Sequence, residues 1–411
     1  MASSNQEEKL LQERLKNLEN KSKENLFSES FEKPVESKIE AEPEPEPEIG
    51  PEEVSESEQV IKKSKLKTGI KRLVKPIRKK VLTPPLGVKK LSETEIKWCL
   101  GNISKLKKEM SKVILGQEDI VNGLIMGLLC NAHVLVEGVP GIAKTLAIRA
   151  LASASGCTVK RIQFTVDMLP TDIIGLTNYT PEKGFEIIKG PIFANFIIAD
   201  EINRAPPKTQ SALIEGMQEK QVTIGRKKFH LPNPFFVMAT ENPIENAGVY
   251  PLPEAQIDRF LFKLIMGYPK EKVEREVMET NITIRKFEAF GLKPVITPKE
   301  IIKMQLIVQK VYLDDNIKSY ILEIVRKTRN KDFKNSEYVS YGSSPRACIG
   351  LFIAGKARAL MQGRNYVLPE DIKKIVFDVM RHRLILSYKA TLDKISPDSI
   401  VQEILNSVKV K

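Results

Sequence analysis

The 411-residue sequence predicts an α/β fold: a five-stranded parallel sheet between helices, with two β-hairpin inserts and an all-helical domain after it. Three observations predict it. Apolar runs of strand length recur at 133–136, 159–164, 196–199, 235–240 and 260–264, and helical or long connecting segments separate the first four. Continuous apolar strands alternating with helices belong to a parallel sheet covered on both faces. A Gly-rich turn follows the first of these runs directly. After Tyr268-Pro269 the apolar spacing settles near the helical period, so 270–411 reads as helical.

Taken in chain order, residues 1–60 hold 17 acidic and 7 basic side chains. Leu10, Leu11, Leu15 and Leu18 sit near helical spacing, but an isolated helix so short and charged is marginal. The run EPEPEPE at 42–48 has too little apolar surface to offset the entropy of ordering, so 1–60 reads as an acidic disordered tail. Residues 61–90 carry 12 basic and no acidic side chains and read as a basic linker open to polyanion contact. The folded part starts near Leu91. Ser92 and Glu95 form the S-x-x-E capping box of a first helix, and a second helical run spans 118–130. Thr297-Pro298-Lys299-Glu300 opens another helix. These features divide the chain into an α/β core at 91–269 and a helical domain at 270–411.

Composition removes several classes. Four scattered cysteines make no disulfide framework, and three isolated histidines with no CxxC pair make no zinc site. The N-terminus lacks an apolar signal core. The longest uncharged stretch, 120–136, falls short of a membrane span and reads as a helix followed by a buried strand. The chain therefore reads as cytoplasmic, not as an integral membrane protein.

The chemistry starts directly after the strand AHVLVE. Gly138, Val139, Pro140, Gly141, Ile142, Ala143, Lys144 and Thr145 form a loop, with Leu146 in the helix behind it. Backbone N–H groups of such a loop, backed by a helix N-terminus, cradle phosphate oxygens. Lys144 would reach the β- and γ-phosphates of ATP, and Thr145 would hold Mg²⁺ through its hydroxyl. Ala143 stands where Gly is usual; at φ > 0 an alanine costs about 1–2 kcal/mol. An ordinary Gly/Pro turn with solvated Lys and Thr competes with this reading. The second half of the site decides against it. The apolar strand Phe196–Ala199 ends in Asp200 and Glu201, at the sheet edge where α/β ligands bind. Asp200 would hold Mg²⁺ through water, and Glu201 would orient and deprotonate the attacking water.

These residues resemble the AAA+ ATPases and, within them, the MoxR family. The matching stretches are EGVPGIAKT (137–145), ADEINRAPPKTQSALIEGMQE (199–219), ATENPIENAGVYPLPEAQIDRF (239–260) and GSSPRA (342–347). The resemblance covers about 91–395, and Ala143 is itself usual there. It implies a P-loop core with a helical lid, and further roles for single residues. Asn242 resembles the sensor that aligns the lytic water, Arg259 the arginine finger that completes a neighbour's site, and Arg346 the second sensor contacting phosphate from the lid. Ile114, Leu115, Gly116 and Gln117 resemble the segment that packs on adenine. Read without the resemblance, Arg259 is a surface residue paired to Asp258 or a nearby carboxylate. Arg346 is then on a solvated helix face, Asn242 is in an Asn-Pro turn, and 114–117 is a helix C-cap. The hairpins at 176–188 and 221–231 resemble the helix-2 and pre-sensor-1 inserts. Val166 departs from the family pattern, which has Pro there.

The resemblance implies a ring, a hexamer, whose ATP turnover remodels partner proteins with von Willebrand factor A domains. Two alternatives share the core: a nucleic-acid-associated motor, supported by 61–90, and a chelatase-type motor subunit. The basic segment has no aromatic residue for base stacking.

Overall fold

The computed structural model describes residues 91–243, 250–280, 287–330 and 332–409. The acidic tail and basic linker expected at 1–60 and 61–90 lie outside them. Helix α1 (Glu93–Met110) opens on the expected capping box: the Glu95 N–H donates to Ser92 Oγ at 3.2 Å, and the Ser92 N–H to Glu95 Oε2 at 3.1 Å. Helix α2 (Glu118–Leu129) and strand β1 (Val134–Gly138) occupy the uncharged stretch. No helix among the described residues is long and apolar enough to cross a membrane.

Five parallel strands form the central sheet: β1, β2 (Val159–Gln163), β5 (Phe196–Asp200), β8 (Phe236–Glu241) and β9 (Phe262–Met266). Their order is β2-β5-β8-β1-β9. The chain leaves β1 for the far edge, returns strand by strand to β8, and then crosses to β9 on the other side of β1. That reversal puts a crevice outside the carboxyl ends of β1, β8 and β5, where ligands of open α/β sheets bind. Strands β1, β5 and β8 are nearly all apolar and buried, because helices cover both faces.

The two expected hairpins are present. Strand β3 (Gly175–Thr180) pairs with β4 (Gly184–Lys189), and β6 (Gln221–Ile224) with β7 (Lys227–His230), both antiparallel. Among the described residues beyond β9 the chain is mainly helical, and it departs from the all-helical expectation where β10 (Val339–Tyr341) and β11 (Ile385–Leu386) form a short antiparallel pair and where Tyr312 and Tyr366 form an isolated parallel bridge. Pairs this short carry no alternating apolar pattern to read. The helix pair Pro345–Met361 and Pro369–Met380 packs against the core, and one apolar cluster runs from Leu91 through one face of the sheet to Val408. The helical region therefore shares its core with the sheet.

Candidate nucleotide site

Gly138 ends β1, and helix α3 (Lys144–Ala154) begins six residues later. Only glycine fits at 138, since a Cβ there would stand 2.6 Å from the Met266 carbonyl oxygen. Ala143 has φ 68°, the left-handed region, so the strain expected from the sequence is present. Lys144 Nζ donates to the carbonyls of Gly138 at 2.5 Å and Glu241 at 3.2 Å, bridging the ends of β1 and β8.

Asp200, at the end of β5, is buried. Its carboxylate accepts from Thr145 Oγ1 at 3.1 Å, from Thr240 Oγ1 at 3.2 Å and from Arg161 Nε at 2.6 Å. Glu201 follows at φ 55°. A carboxylate residue held in the left-handed region is strained, a condition that gathers at functional sites. Its N–H donates to Thr240 Oγ1 at 2.9 Å, which fixes the turn. Its Oε2 accepts from Gln163 Nε2 at 2.8 Å and pairs with Arg204 Nε at 3.0 Å. Asn242, directly after β8, is buried.

Lys144, Thr145, Asp200, Glu201 and Asn242 line one open cavity of about 410 Å³. A second, more apolar cavity of about 270 Å³ lies beside it and shares Pro140, Gly141 and Ala143. Ile114, Leu115, Gln117, Tyr268 and Val277 line it, a setting for a flat ring system. Gln117 is tied to the Gly267 carbonyl at 3.1 Å. Gly116 does not line the cavity. It has φ 64°, and a Cβ would fall 2.5 Å from the Val273 side chain, so it permits the approach of helix 271–280.

The two arginines stand elsewhere. Neither Arg259 nor Arg346 lines either cavity. Arg259 is exposed on the loop between the short helix Glu254–Ile257 and β9. The Asp258 carboxylate beside it bonds instead to Arg383 Nε at 2.8 Å, Ser344 Oγ at 2.8 Å and Arg346 Nη1 at 3.3 Å. The Arg259–Asp258 pair that the sequence allowed is therefore not formed. Arg346 is held on Asp258 at the start of the lid helix and not on a cavity wall.

Four cavity residues escaped sequence reading: Arg149, Arg161, Gln163 and Thr240. Arg161 and Gln163 share a face of β2, with buried Ile162 between them, and Gln163 is in register with Asp200. A further group behind the loop joins Lys263 Nζ to Glu137 Oε2 at 2.5 Å, with Glu241 Oε2 at 3.9 Å. Burial there pushes the Glu241 carboxyl up.

Known proteins agree with this arrangement. Residues 133–262 match a profile described as "ATPase family associated with various cellular activities (AAA)", and residues 332–404 one described as "AAA lid domain". Chaperone MoxR1 of Mycobacterium tuberculosis is 45% identical over 73% of this chain and 80% of its own length. YeaC of Bacillus subtilis is 45% identical over 75% of this chain and 94% of its own. A crystal structure from Cytophaga hutchinsonii, named for an inferred ATPase activity, is 42% identical with a TM-score of 0.73, over 78% of this chain and 98% of that one. With the nucleotide cavity built from its own strand ends and a lid sharing its core, the chain belongs to the MoxR family of AAA+ ATPases.

Proposed function

We propose that this chain binds Mg²⁺·ATP in the paired cavities, hydrolyses it within a ring, and uses the cycle to remodel partner proteins. The observation that carries the reading is the meeting of Lys144, Thr145, Asp200, Glu201 and Asn242 on one cavity at a helix N-terminus. The loop N–H groups and the helix dipole would take the phosphates. Lys144 already reaches across the loop and would turn to the β- and γ-oxygens. The donor set fits a hard cation: a hydroxyl and a carboxylate within 3.2 Å of each other, both oxygen ligands. Thr145 and Asp200 would hold Mg²⁺, which when bound neutralises charge on the phosphate oxygens.

Glu201 would take the proton of the attacking water, and Asn242 would orient that water. Gln163 and Arg204 hold the Glu201 carboxylate from two sides and thereby set its aim. Arg259, exposed and absent from the lining of its own chain's cavity, fits a role in a neighbouring subunit's site, which favours a ring. Residues 91–269 then serve as the ATPase core and 270–411 as the lid.

The clients we propose are proteins with von Willebrand factor A domains. A relative named as a chaperone supports remodelling. The hairpins support contact with a protein surface. Tyr179 and Phe185 are exposed with ring centroids 5.0 Å apart, and Arg226 and Lys227 are exposed on the second hairpin. Phosphate release with and without a purified von Willebrand factor A domain tests both halves. Magnesium-dependent turnover that the domain raises supports the reading. Absence of magnesium-dependent turnover removes the ATPase reading, and equal turnover without physical association removes the client.

A further inference from the structure

The tripeptide Arg381-His382-Arg383 sits at the end of the lid helix Pro369–Met380 and faces the loop that carries Arg259. Arg383 is buried, with 3% of its side chain exposed. A guanidinium has five N–H donors in a rigid fork, and all five are used here. Nε donates to Asp258 Oδ1 at 2.8 Å. Nη2 donates to the carbonyls of Asp258 at 3.1 Å and Phe260 at 2.6 Å. Nη1 donates to the carbonyls of Leu261 at 3.1 Å and Val379.

The acceptors therefore flank Arg259 on both sides, at 258, 260 and 261. His382 Nε2 adds a bond to the Phe260 carbonyl at 3.0 Å, and Arg381 Nη1 one to the Lys263 carbonyl at 2.6 Å. Burial holds the His382 ring neutral, which suits a single donated bond. Ser344 and Arg346, from the start of another lid helix, close on the Asp258 carboxylate. An exposed arginine on a short loop would otherwise sample many positions. Here the peptide units around it are fixed while its own side chain stays exposed.

We propose that Arg383, supported by His382, is a positioning residue that sets where Arg259 is presented to the neighbouring subunit, and so ties that presentation to the lid. The proposal rests on Arg259 acting in trans. It makes the lid two devices in one chain: a cover for its own nucleotide and the mount of the arginine offered next door. Displacement of a reacting group by about 1 Å costs on the order of 10²-fold in rate.

The test uses the full chain. Arg383→Lys offers three donors to five acceptors. ATP affinity of its own pocket should stay within a few-fold, while turnover falls about 10²-fold. Mixed with Lys144→Ala subunits, whose pockets are empty but whose fingers are intact, turnover should return at the shared junctions. Arg259→Ala mixed with Lys144→Ala is the parallel arm. Recovery in both mixtures supports the proposal. Recovery with Arg259→Ala but not with Arg383→Lys overturns it and leaves the trans reading standing. Recovery in neither, with exchange of subunits demonstrated, overturns both. Should Arg383→Lys fail to fold, His382→Leu replaces it: this variant removes one clamp from a buried neutral site and keeps the ion pair. The same pattern with a smaller loss is then expected, and loss of ATP binding in its own pocket overturns the proposal.

Discussion

The nucleotide cavity and the Arg259 loop are held by different means. In the cavity, the backbone does the positioning. Ala143 and Glu201 both sit at positive φ, and Gly138 is fixed by the approach of Met266. The two positive-φ positions belong to their own short motifs, and the distant contact that limits position 138 is a backbone carbonyl, not a side chain. Around Arg259, side chains more than a hundred residues away hold an ordinary loop, through Arg383 and His382. A site built on local backbone can be read from a short motif. A site built on distant side chains shows no motif of its own, and it couples the loop to whatever moves those side chains.

The largest effect separates the two regions directly. Arg259→Ala should bind ATP normally and lose about 10³–10⁵ in turnover, the range for removing an arginine finger. Lys144→Ala should lose nucleotide affinity instead. Radiolabelled ATP binding and phosphate release, run on both, check the split. Weak ATP binding by Arg259→Ala would place that residue in its own pocket and erase the distinction.

Next is Glu201→Gln. Asp200 keeps its charge, so Mg²⁺·ATP should still dock, while an amide cannot accept the proton. Turnover should fall by about 10²–10⁴. The bonds from Gln163 and Arg204 make part of that loss orientational. Single-turnover measurement with ATP in the pocket reads it, and near-normal turnover would remove Glu201 from the role.

How far the sequence reaches follows the same division. The sheet was legible because β1, β5 and β8 are continuous apolar runs, and the hairpins because Gly184 and Gly225 supply turns at positive φ. The cavity was legible as far as its motifs extend, from Gly138 to Thr145 and at Asp200-Glu201. Arg161 and Gln163 were missed because 159–164 reads only as an apolar strand, and the register that sets Gln163 against Asp200 exists only in the folded sheet. Arg383 was missed because an arginine in a helical segment reads as solvated surface. Its burial depends on five acceptors that only the folded loop brings together. The β10–β11 pair was missed because strands of three and two residues have no period.

A third effect falls on the loop side. His133, at the start of β1, hands its backbone carbonyl to Leu261 N at 2.9 Å. Its ring is fully committed: Nδ1 accepts from Val237 N at 3.0 Å, and Nε2 donates to the Met217 carbonyl at 3.1 Å. Protonation would put a second N–H against the Val237 donor. Burial, first, and the nearby Lys220 charge lower its pKa to about 4 from 6.5, while the Met217 bond opposes them. The folded value is depressed, so the stabilisation is present above the unfolded value of 6.5 and is lost as pH falls toward 4. The loss amounts to about 3 kcal/mol from this group at one pKa unit per 1.36 kcal/mol. His382, also depressed by burial, adds in the same direction. Urea midpoints at pH 7 and pH 4.5 measure it, and hydrogen exchange should show the segment around 258–262 opening first. Equal midpoints would mean that His133 is not held neutral.

The smallest effect tests the claim that the cavity side carries its strain in the backbone. Ala143 is exposed at φ 68°. Replacing it with glycine removes a left-handed penalty of about 1–2 kcal/mol. The same change loosens the unfolded chain, which costs about 0.4–1 kcal/mol. The two terms oppose, and the first is larger, so Ala143→Gly should stabilise by up to about 1.5 kcal/mol. A control fixes the sign. Ala212 lies inside the helix Pro207–Glu219, where its backbone is already relaxed. Ala212→Gly relieves no strain, adds the entropic cost and the loss of a half-buried methyl, and should destabilise by at least about 0.5–1 kcal/mol. Denaturant midpoints of the two variants should therefore move in opposite directions from the parent. If both fall together, the loop at 143 stores no strain in the free protein, and the cavity is held in place by its side chains as the Arg259 loop is.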